Sequence, residues 1–424
     1  MLLAAALFGL WYMPEIPRIP FINSYPTSSI KGIDPNFELL VEMKPGKNAN
    51  DIKAIIKKYN LQYETAFEVK NADLTDLDDY LVINIPDKKI GYFEQIVKEL
   101  TNSGQVDAVE LNEIVPLFEP IKSVKSKKKI GSSVLNDPEL DKLWTTEVLQ
   151  LDTLHRFLAQ KNIKPRKKAK IAIIDTGVDG NHQDLSDNYT STRAEYDEDP
   201  QGHGTHCAGI AAAVSNNKKG IASFTPSNDF VEITSIQVFP RSGGTTQRSI
   251  IRGMILAIDN GADVLSMSLG GPSTDAAQVA YKAVVEYAAK KGVIIVAAAG
   301  NEDTDASKKV PASVVGVISV AATNEENKKA NFSNDVSKLK WAIAAPGVNI
   351  FSTVPGSRYD FMSGTSMATP YVAGLLGLMK SLDPTLSPEK AFNILNESGL
   401  VGKSGKSTGK IIQPLSAVAL LFNE

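Results

Sequence analysis

From Asn136 onward, short runs that are apolar at every position alternate with longer stretches of helical periodicity. That alternation admits few folds. A run with no polar face cannot meet water on either side, which is the condition of a strand in a parallel sheet covered by helices above and below. The runs predict strands at 170–175, 231–239, 263–269, 292–299 and 315–321, and helices at 246–260, 275–291 and 366–380. The expected fold class is therefore α/β, a mostly parallel sheet with helices on both faces.

A smaller unit precedes it. Ile52, Ile55, Ile56 and Tyr59 fall at i, i+3, i+4, i+7, as do Phe93, Ile96, Val97 and Leu100, so each set marks one buried helix stripe. Asp51 and Gly104 read as helix punctuation. Apolar runs of strand length at 37–43, 63–69, 80–85 and 106–111 complete a β-α-β-β-α-β order, the ferredoxin-like α+β arrangement. Between the units, Lys122, Lys125, Lys127, Lys128 and Lys129 crowd in front of Gly131-Ser132-Ser133, a stretch that forms no core and reads either as a solvated spacer or as one that is also cut. The boundaries that follow are 1–20, 36–119, 120–135 and 136–424.

Charge excludes some partners. Lys plus Arg is 45 against 48 Asp plus Glu, which gives no global attraction to nucleic acid or anionic lipid. The one cysteine, Cys207, leaves stability to packing or bound metal. The apolar run from Leu2 to Met13 is too short for a bilayer span of ~20 residues but fits the apolar region of a secretory signal, so the expected location is secreted or cell envelope. No Lys or Arg precedes the run and no clean A-x-A follows, so an uncleaved anchor, and with it a membrane contact, stays open.

In an open parallel sheet, chemistry collects beyond the carboxyl ends of the strands. Ile171-Ala-Ile-Ile-Asp175-Thr-Gly177 ends a strand with a carboxylate; alone, it reads equally as a turn cap. Gly202-His203-Gly204-Thr-His206 sets a near-neutral base between glycines that let another backbone approach, and a carboxylate such as Asp175 fixes its tautomer. A zinc reading of His203 and His206 lacks the acidic helix motif that goes with it. Gly364-Thr365-Ser366-Met-Ala-Thr-Pro370 opens an apolar helix with a hydroxyl beside unpaired N–H groups, where an isolated Ser is ordinarily a cap. Val296-Ala-Ala-Ala-Gly300-Asn301 ends a buried strand with one amide able to donate to an oxyanion. Together these supply nucleophile (Ser366), base (His203), orienting acid (Asp175) and oxyanion donor (Asn301).

With those four motifs the chain from about Asn136 to its end resembles the subtilisin-like serine proteases, most of all the thermitase and proteinase K branches, and it follows that family's Asp, His, Ser order. The resemblance implies a serine endopeptidase acting on protein or peptide substrates. The substrate would bind as an extended strand between Gly243-Gly244-Thr245 and Ser268-Leu269-Gly270, with Ala298, Ala299 and Gly300 around a pocket of broad apolar preference. It implies that the first unit is a propeptide, the enzyme's own chaperone and inhibitor, released by self-processing between Asn112 and Asn136. It also implies structural calcium held by Asp137, Asp184 and Asn217 side chains with the carbonyls of Val214, Lys219 and Ile221. The sequence departs from the family pattern at Tyr371, at Thr225-Pro226 and in the short stretch between Asp187 and Gly202, which puts a second calcium site in doubt. A rival α/β-hydrolase esterase requires acid and His after the nucleophile, whereas here both precede it. The other rival, a binding protein on an inactive protease fold, lacks support because all four catalytic groups are intact.

Overall fold

The computed structural model describes residues 37–118, 120–122, 133–241, 243–273 and 278–422. The apolar run from Leu2 to Met13 and the lysines of the linker from Lys125 to Lys129 lie outside the described residues, as does the start expected for the 275–291 helix.

The first unit runs β1 (Phe37–Met43), α1 (Lys53–Tyr59), β2 (Gln62–Thr65), β3 (Tyr80–Ile85), α2 (Phe93–Asn102) and β4 (Val106–Leu111). Its sheet is antiparallel in the order β2-β3-β1-β4. The helix stripes read from the sequence bury Ile52, Ile56, Tyr59, Phe93, Ile96, Val97 and Leu100 against Leu39, Val41 and Ile83. The other face of the sheet is equally apolar, and it cannot stay wet. Leu40, Phe67, Tyr80 and Val82 share a core with Met254, Ile255, Val284 and Tyr287 of the second unit.

Two short segments, β5 (Ile114–Val115) and β6 (Ile121–Lys122), lead out of the first unit. The second unit begins with α3 (Thr145–Val148) and α4 (Leu151–Gln160), followed by β7 (Ala169–Asp175), α5 (His203–Ala212), β8 (Val231–Gln237), β9 (Thr245–Thr246), α6 (Gln247–Asp259), β10 (Val264–Met267) and β11 (Gly271–Pro272). It continues through α7 (Gln278–Lys290), β12 (Ile294–Ala298), β13 (Lys309–Val310), β14 (Val317–Thr323), β15 (Ala342–Pro346), β16 (Ile350–Val354) and β17 (Arg358–Ser363). The last elements are α8 (Thr365–Leu382), α9 (Pro388–Ser398), β18 (Leu400–Val401), β19 (Lys410–Ile411) and α10 (Pro414–Leu421).

The main sheet has the order β18-β19-β15-β14-β12-β10-β7-β8 and is parallel except at β18. Successive residues of its strands serve opposite layers: Ile171, Ile173, Val264 and Ile294 face α5 and α8, while Ala172, Ile174, Leu265 and Ile295 face α6 and α7. This is why the runs are apolar throughout. From β7 the chain goes to β8 on one side and to β10, β12 and β14 on the other, so the strand order reverses at β7. The carboxyl ends there open a crevice, and Asp175 is the last residue of β7.

Several expectations need correction. The strand expected at 63–69 is Gln62–Thr65, because Ala66 and Phe67 leave the ladder to fill the seam between the units. The strand expected at 315–321 starts at Val317, with Val315 69% exposed. Asp51 is not the cap of α1, which follows Ile52; its carboxylate accepts instead from Asn48 N–H at 2.9 Å. β15 and the β16–β17 hairpin were not anticipated, since an Ala-rich run such as Ala342–Pro346 carries little of the β-branched signature of strands.

The two central helices pack so closely that their small residues are obligatory. A Cβ on Gly374 of α8 would lie 2.4 Å from the carbonyl oxygen of Ala211 in α5, and backbone cannot step aside as a side-chain end would. Gly374→Ala is expected to destabilise the protein by about 2 kcal/mol or more, read as a lowered urea midpoint; an unchanged midpoint would show that the helices separate freely.

Candidate active site

Each predicted group arrives on a different element. Asp175 ends β7, His203 is the first residue of α5, Asn301 follows β12 and its glycine, and Ser366 is the second residue of α8. The structure brings the first two into direct contact: His203 Nδ1 and Asp175 Oδ1 are 2.7 Å apart, both residues almost wholly buried at 2% and 1% exposure. Asp175 Oδ1 also accepts from Thr176 N–H at 2.7 Å. This approach needs a bare backbone, since a Cβ on Gly204 would lie 2.1 Å from the carbonyl oxygen of Gly177.

Ser366 is held beside Ser268. Its hydroxyl donates to the Ser268 carbonyl at 3.3 Å, and its own carbonyl accepts from Ser268 Oγ at 2.8 Å. The Cys207 thiol ties this strand end to the Asp175–His203 pair. It donates to the Ser366 carbonyl at 3.5 Å, and its sulfur lies within 4.8 Å of a ligand atom of each of the pair. Burial pushes that thiol well above the ordinary range, which disfavours the thiolate form that nucleophilic attack requires.

Asn301 shows its orientation through its partners. Its Oδ1 accepts from both Thr365 N–H and Thr365 Oγ1, each at 2.8 Å, which fixes the amide so that Nδ2 faces the other way. Nδ2 is buried and has no hydrogen-bond partner. Buried amide donors are nearly always satisfied, so an orphan donor whose own carbonyl oxygen is doubly hydrogen-bonded marks a place for an acceptor. The Cβ position of Gly364 lies 3.3 Å from that Nδ2 and 3.6 Å from the Ser366 backbone nitrogen; the two donors flank one small space.

Two contributors were not legible in the sequence. Thr365 is one; the other is Asp199, 5% exposed. Its carboxylate accepts from Thr176 Oγ1, Gln201 N–H, Gly202 N–H, Thr205 N–H and Thr205 Oγ1 at 2.8 to 3.1 Å. It thereby joins the loop after β7 to the start of α5, the two pieces that carry Asp175 and His203. An Asp before Pro and Gly reads only as a turn residue. His206 is buried on α5 with Nε2 3.1 Å from the Asp360 carbonyl and its pKa pushed down to about 3 by burial. It is a neutral core histidine, not half of a metal pair.

Thr245 and Gly270, from the two segments expected to hold substrate, both meet the first unit. Thr245 on one side belongs to β9, which pairs antiparallel with β5 from the first unit. On the other side, Gly270 faces the Phe118 ring. Ala298 and Ala299 are fully buried, and Gly300 N–H donates to Thr365 Oγ1 at 3.2 Å.

The six residues expected around calcium also come together. Asp137 accepts from the backbone N–H groups of Asn216 and Asn217 at 3.0 and 3.2 Å. Asp184 accepts from Asn217 Nδ2 and Ile221 N–H, both at 2.8 Å, while its own carbonyl accepts from Val214 N–H at 2.9 Å. Lys219 N–H donates to Asn217 Oδ1 at 2.7 Å. Burial pushes Asp184 up to about 6, with Asp137 adding to the shift, and raises Asp137 too. Tyr371, where the family pattern departs, is buried with its hydroxyl 2.9 Å from Thr145 Oγ1 and its ring 6.0 Å from that of Phe224.

Residues 166–407 match a family model described as the Subtilase family. Thermitase of Thermoactinomyces vulgaris is 45% identical over 218 residues, 50% of this chain and 75% of that protein. A thermophilic serine proteinase of Bacillus sp. strain AK1 is 43% identical over 217 residues, 50% and 52% of the two chains. Subtilisin DY of Bacillus licheniformis is 39% identical over 236 residues, 54% and 82%.

Asp199→Ala removes the acceptor of five hydrogen bonds at a buried site, and stranding such donors costs about 3 kcal/mol. The melting temperature of the variant is expected to fall accordingly; a change within error would mean that the loops hold without it.

Proposed function

This chain belongs to the subtilase family and is a subtilisin-like serine endopeptidase, and from that premise we propose how its own residues divide the work. Ser366 Oγ attacks the scissile carbonyl while His203 takes its proton and later returns it to the leaving amine. Asp175, bonded to His203 Nδ1 at 2.7 Å, keeps the imidazole in the tautomer whose other nitrogen is basic and stabilises the imidazolium. Asn301 Nδ2 and Ser366 N–H receive the oxyanion. The observation that carries this assignment is the buried, partnerless Asn301 Nδ2 beside Ser366 N: a donor kept unsatisfied in the resting site bonds charge that exists only in the transition state.

Substrate lies as an extended strand between Gly243-Gly244-Thr245 and Ser268-Leu269-Gly270, its side chains entering a pocket walled by Ala298, Ala299 and Gly300 with broad apolar preference. The unit 36–119 acts as propeptide, chaperone and inhibitor, joined by the linker 120–135 to the catalytic domain 136–424, and Ser366 performs the processing. The burial of Leu40, Phe67 and Tyr80 against the second unit supports this docking. The chain is secreted or held at the cell envelope, a reading that rests on the apolar run from Leu2 to Met13. Among the described residues, no helix is long and apolar enough to cross a membrane.

Removing one oxyanion donor costs ~10² to 10³ in turnover, a magnitude established on a subtilisin rather than derived from this chain. Asn301→Leu is expected to lower kcat on a casein-like substrate by that factor with KM little changed, and Ser366→Ala to abolish both turnover and labelling by a fluorophosphonate. Labelling that persists in Ser366→Ala would overturn the assignment.

The donors Asp137, Asp184 and Asn217 with the backbone of Val214, Lys219 and Ile221 fit calcium, which takes six to eight oxygens. Two largely buried carboxylates, Asp137 and Asp184, both bond Asn217, an arrangement that a cation would relieve, and rotating the Asn217 amide about its last torsion presents its oxygen instead of its nitrogen to Asp184. Calcium here would fasten the segment before α3 to the loops after β7 and α5; it takes no part in the chemistry. At a hundredfold excess over its dissociation constant it stabilises by ~2.7 kcal/mol, so a chelator is expected to lower the melting temperature of the matured enzyme, and a Tm indifferent to chelator would remove the site.

A further inference from the structure

The described residues that follow the first unit run along both sides of the candidate active site. On one side β5 pairs antiparallel with β9, Ile114 opposite Thr246 and Val115 opposite Thr245, and the Glu113 carbonyl accepts from Gln247 N–H at 2.8 Å. On the far side β6 pairs antiparallel with β17, Ile121 opposite Ser363, three residues before Ser366. Val115 on one side and Ile121 on the other therefore flank the ground beside the nucleophile.

Their side chains set the register. Val115 is 2% exposed and lies against Gly271, where an added Cβ would sit 3.3 Å from Val115 Cγ2. Phe118 is 6% exposed, and the end of its ring is 3.0 Å from where a Cβ on Gly270 would be. Pro116 and Leu117 are only partly buried. Two enclosed side chains three residues apart, each seated on a glycine of the same wall, fix how an extended chain fills the cleft. Phe118 sits against Gly270, two residues after Ser268, whose carbonyl receives the Ser366 hydroxyl.

We propose that the bond on the carboxyl side of Phe118, between Phe118 and Glu119, is the first bond the enzyme cuts in its own precursor, with the Phe118 ring in the primary specificity pocket and Val115 in an outer pocket against Gly271. Within its broad apolar preference, the enzyme then accepts an aromatic residue before the scissile bond and a β-branched aliphatic one three positions earlier. This rests on the self-processing reading above. Ser366 Oγ bonds to the Phe118 carbonyl carbon as His203 takes the hydroxyl proton. The Phe118–Glu119 C–N bond then breaks, and the proton passes to the Glu119 amine. Water, deprotonated by His203, hydrolyses the ester to free Phe118 as a carboxylate and restore Ser366. The basic linker stays on the mature chain at this first step.

The test follows the full chain by time-resolved intact mass and N-terminal sequencing. In wild type the first pair of fragments is expected to meet between Phe118 and Glu119, and Ser366→Ala is expected to stay whole. Phe118→Tyr should be cut at the same bond at a similar rate, and Phe118→Asp should slow that cut ~100-fold, the scale at which a charged group is refused by an apolar pocket. A first cut elsewhere, for instance among the lysines from Lys122 to Lys129, or an equal rate in Phe118→Asp, would overturn the junction while leaving self-processing intact; cleavage of Ser366→Ala at the wild-type rate would instead sink the self-processing reading beneath it. A folding defect in Phe118→Asp is bypassed on matured wild-type enzyme with the anilides of Val-Pro-Leu-Phe and Val-Pro-Leu-Asp. Their kcat/KM values are expected to differ ~100-fold, and near-equal values would overturn the pocket assignment.

Discussion

A carboxylate at the end of a buried strand has no water to solvate it, and the catalytic crevice is organised by that constraint. Asp175, 1% exposed, draws the His203 imidazole and the Thr176 N–H to one oxygen. A second buried carboxylate, Asp199, then gathers the N–H and hydroxyl groups of the same two segments. The cost of burying these two carboxylates is offset by donors that both segments supply, since a buried polar group is expensive unless it is hydrogen-bonded. Rigidity of the imidazole follows from that requirement, and catalysis depends on an imidazole that does not wander.

The same reasoning extends to the oxyanion space. Thr365 spends both its backbone and side-chain donors on Asn301 Oδ1, so one side of the amide is over-determined and the other is left free. Helix α8 begins at that threonine, which gives Ser366 its N–H at a helix start where the dipole favours developing negative charge. Small residues on both central helices, such as Gly374 against Ala211, let α8 come close enough to place Ser366 under the crevice.

The first unit is tied to the second by more than apolar area. Glu110 is 2% exposed; it accepts from Ala280 N–H at the start of α7 at 2.9 Å and from Gln247 Nε2 at 3.0 Å, and burial pushes it up to about 8. Such a group is held by its partners only while the units are docked. The three residues that follow Glu110 lead straight to β5, so the fastening of the unit and the pairing of β5 with β9 are one continuous feature of the chain.

Most of the architecture was legible in residue order. Strand and helix spacing follow from burial on one face or two, which leaves a periodic record, and the β-α-β-β-α-β unit and the parallel sheet were readable for that reason. The four residues proposed for catalysis stand out because glycines and small residues frame them in recurring local sequence. What the sequence left undecided depends on contacts between distant segments, which leave no local pattern. Asp199 looks like a turn residue, and only the folded loops give it five donors. Ala342–Pro346 looks like no element at all until β14 pairs with it. Val115 and Phe118 are two apolar residues in a linker by composition; that they face Gly271 and Gly270 across the crevice is decided by where the two units dock, because register across a cleft is a property of three-dimensional distance and not of order along the chain.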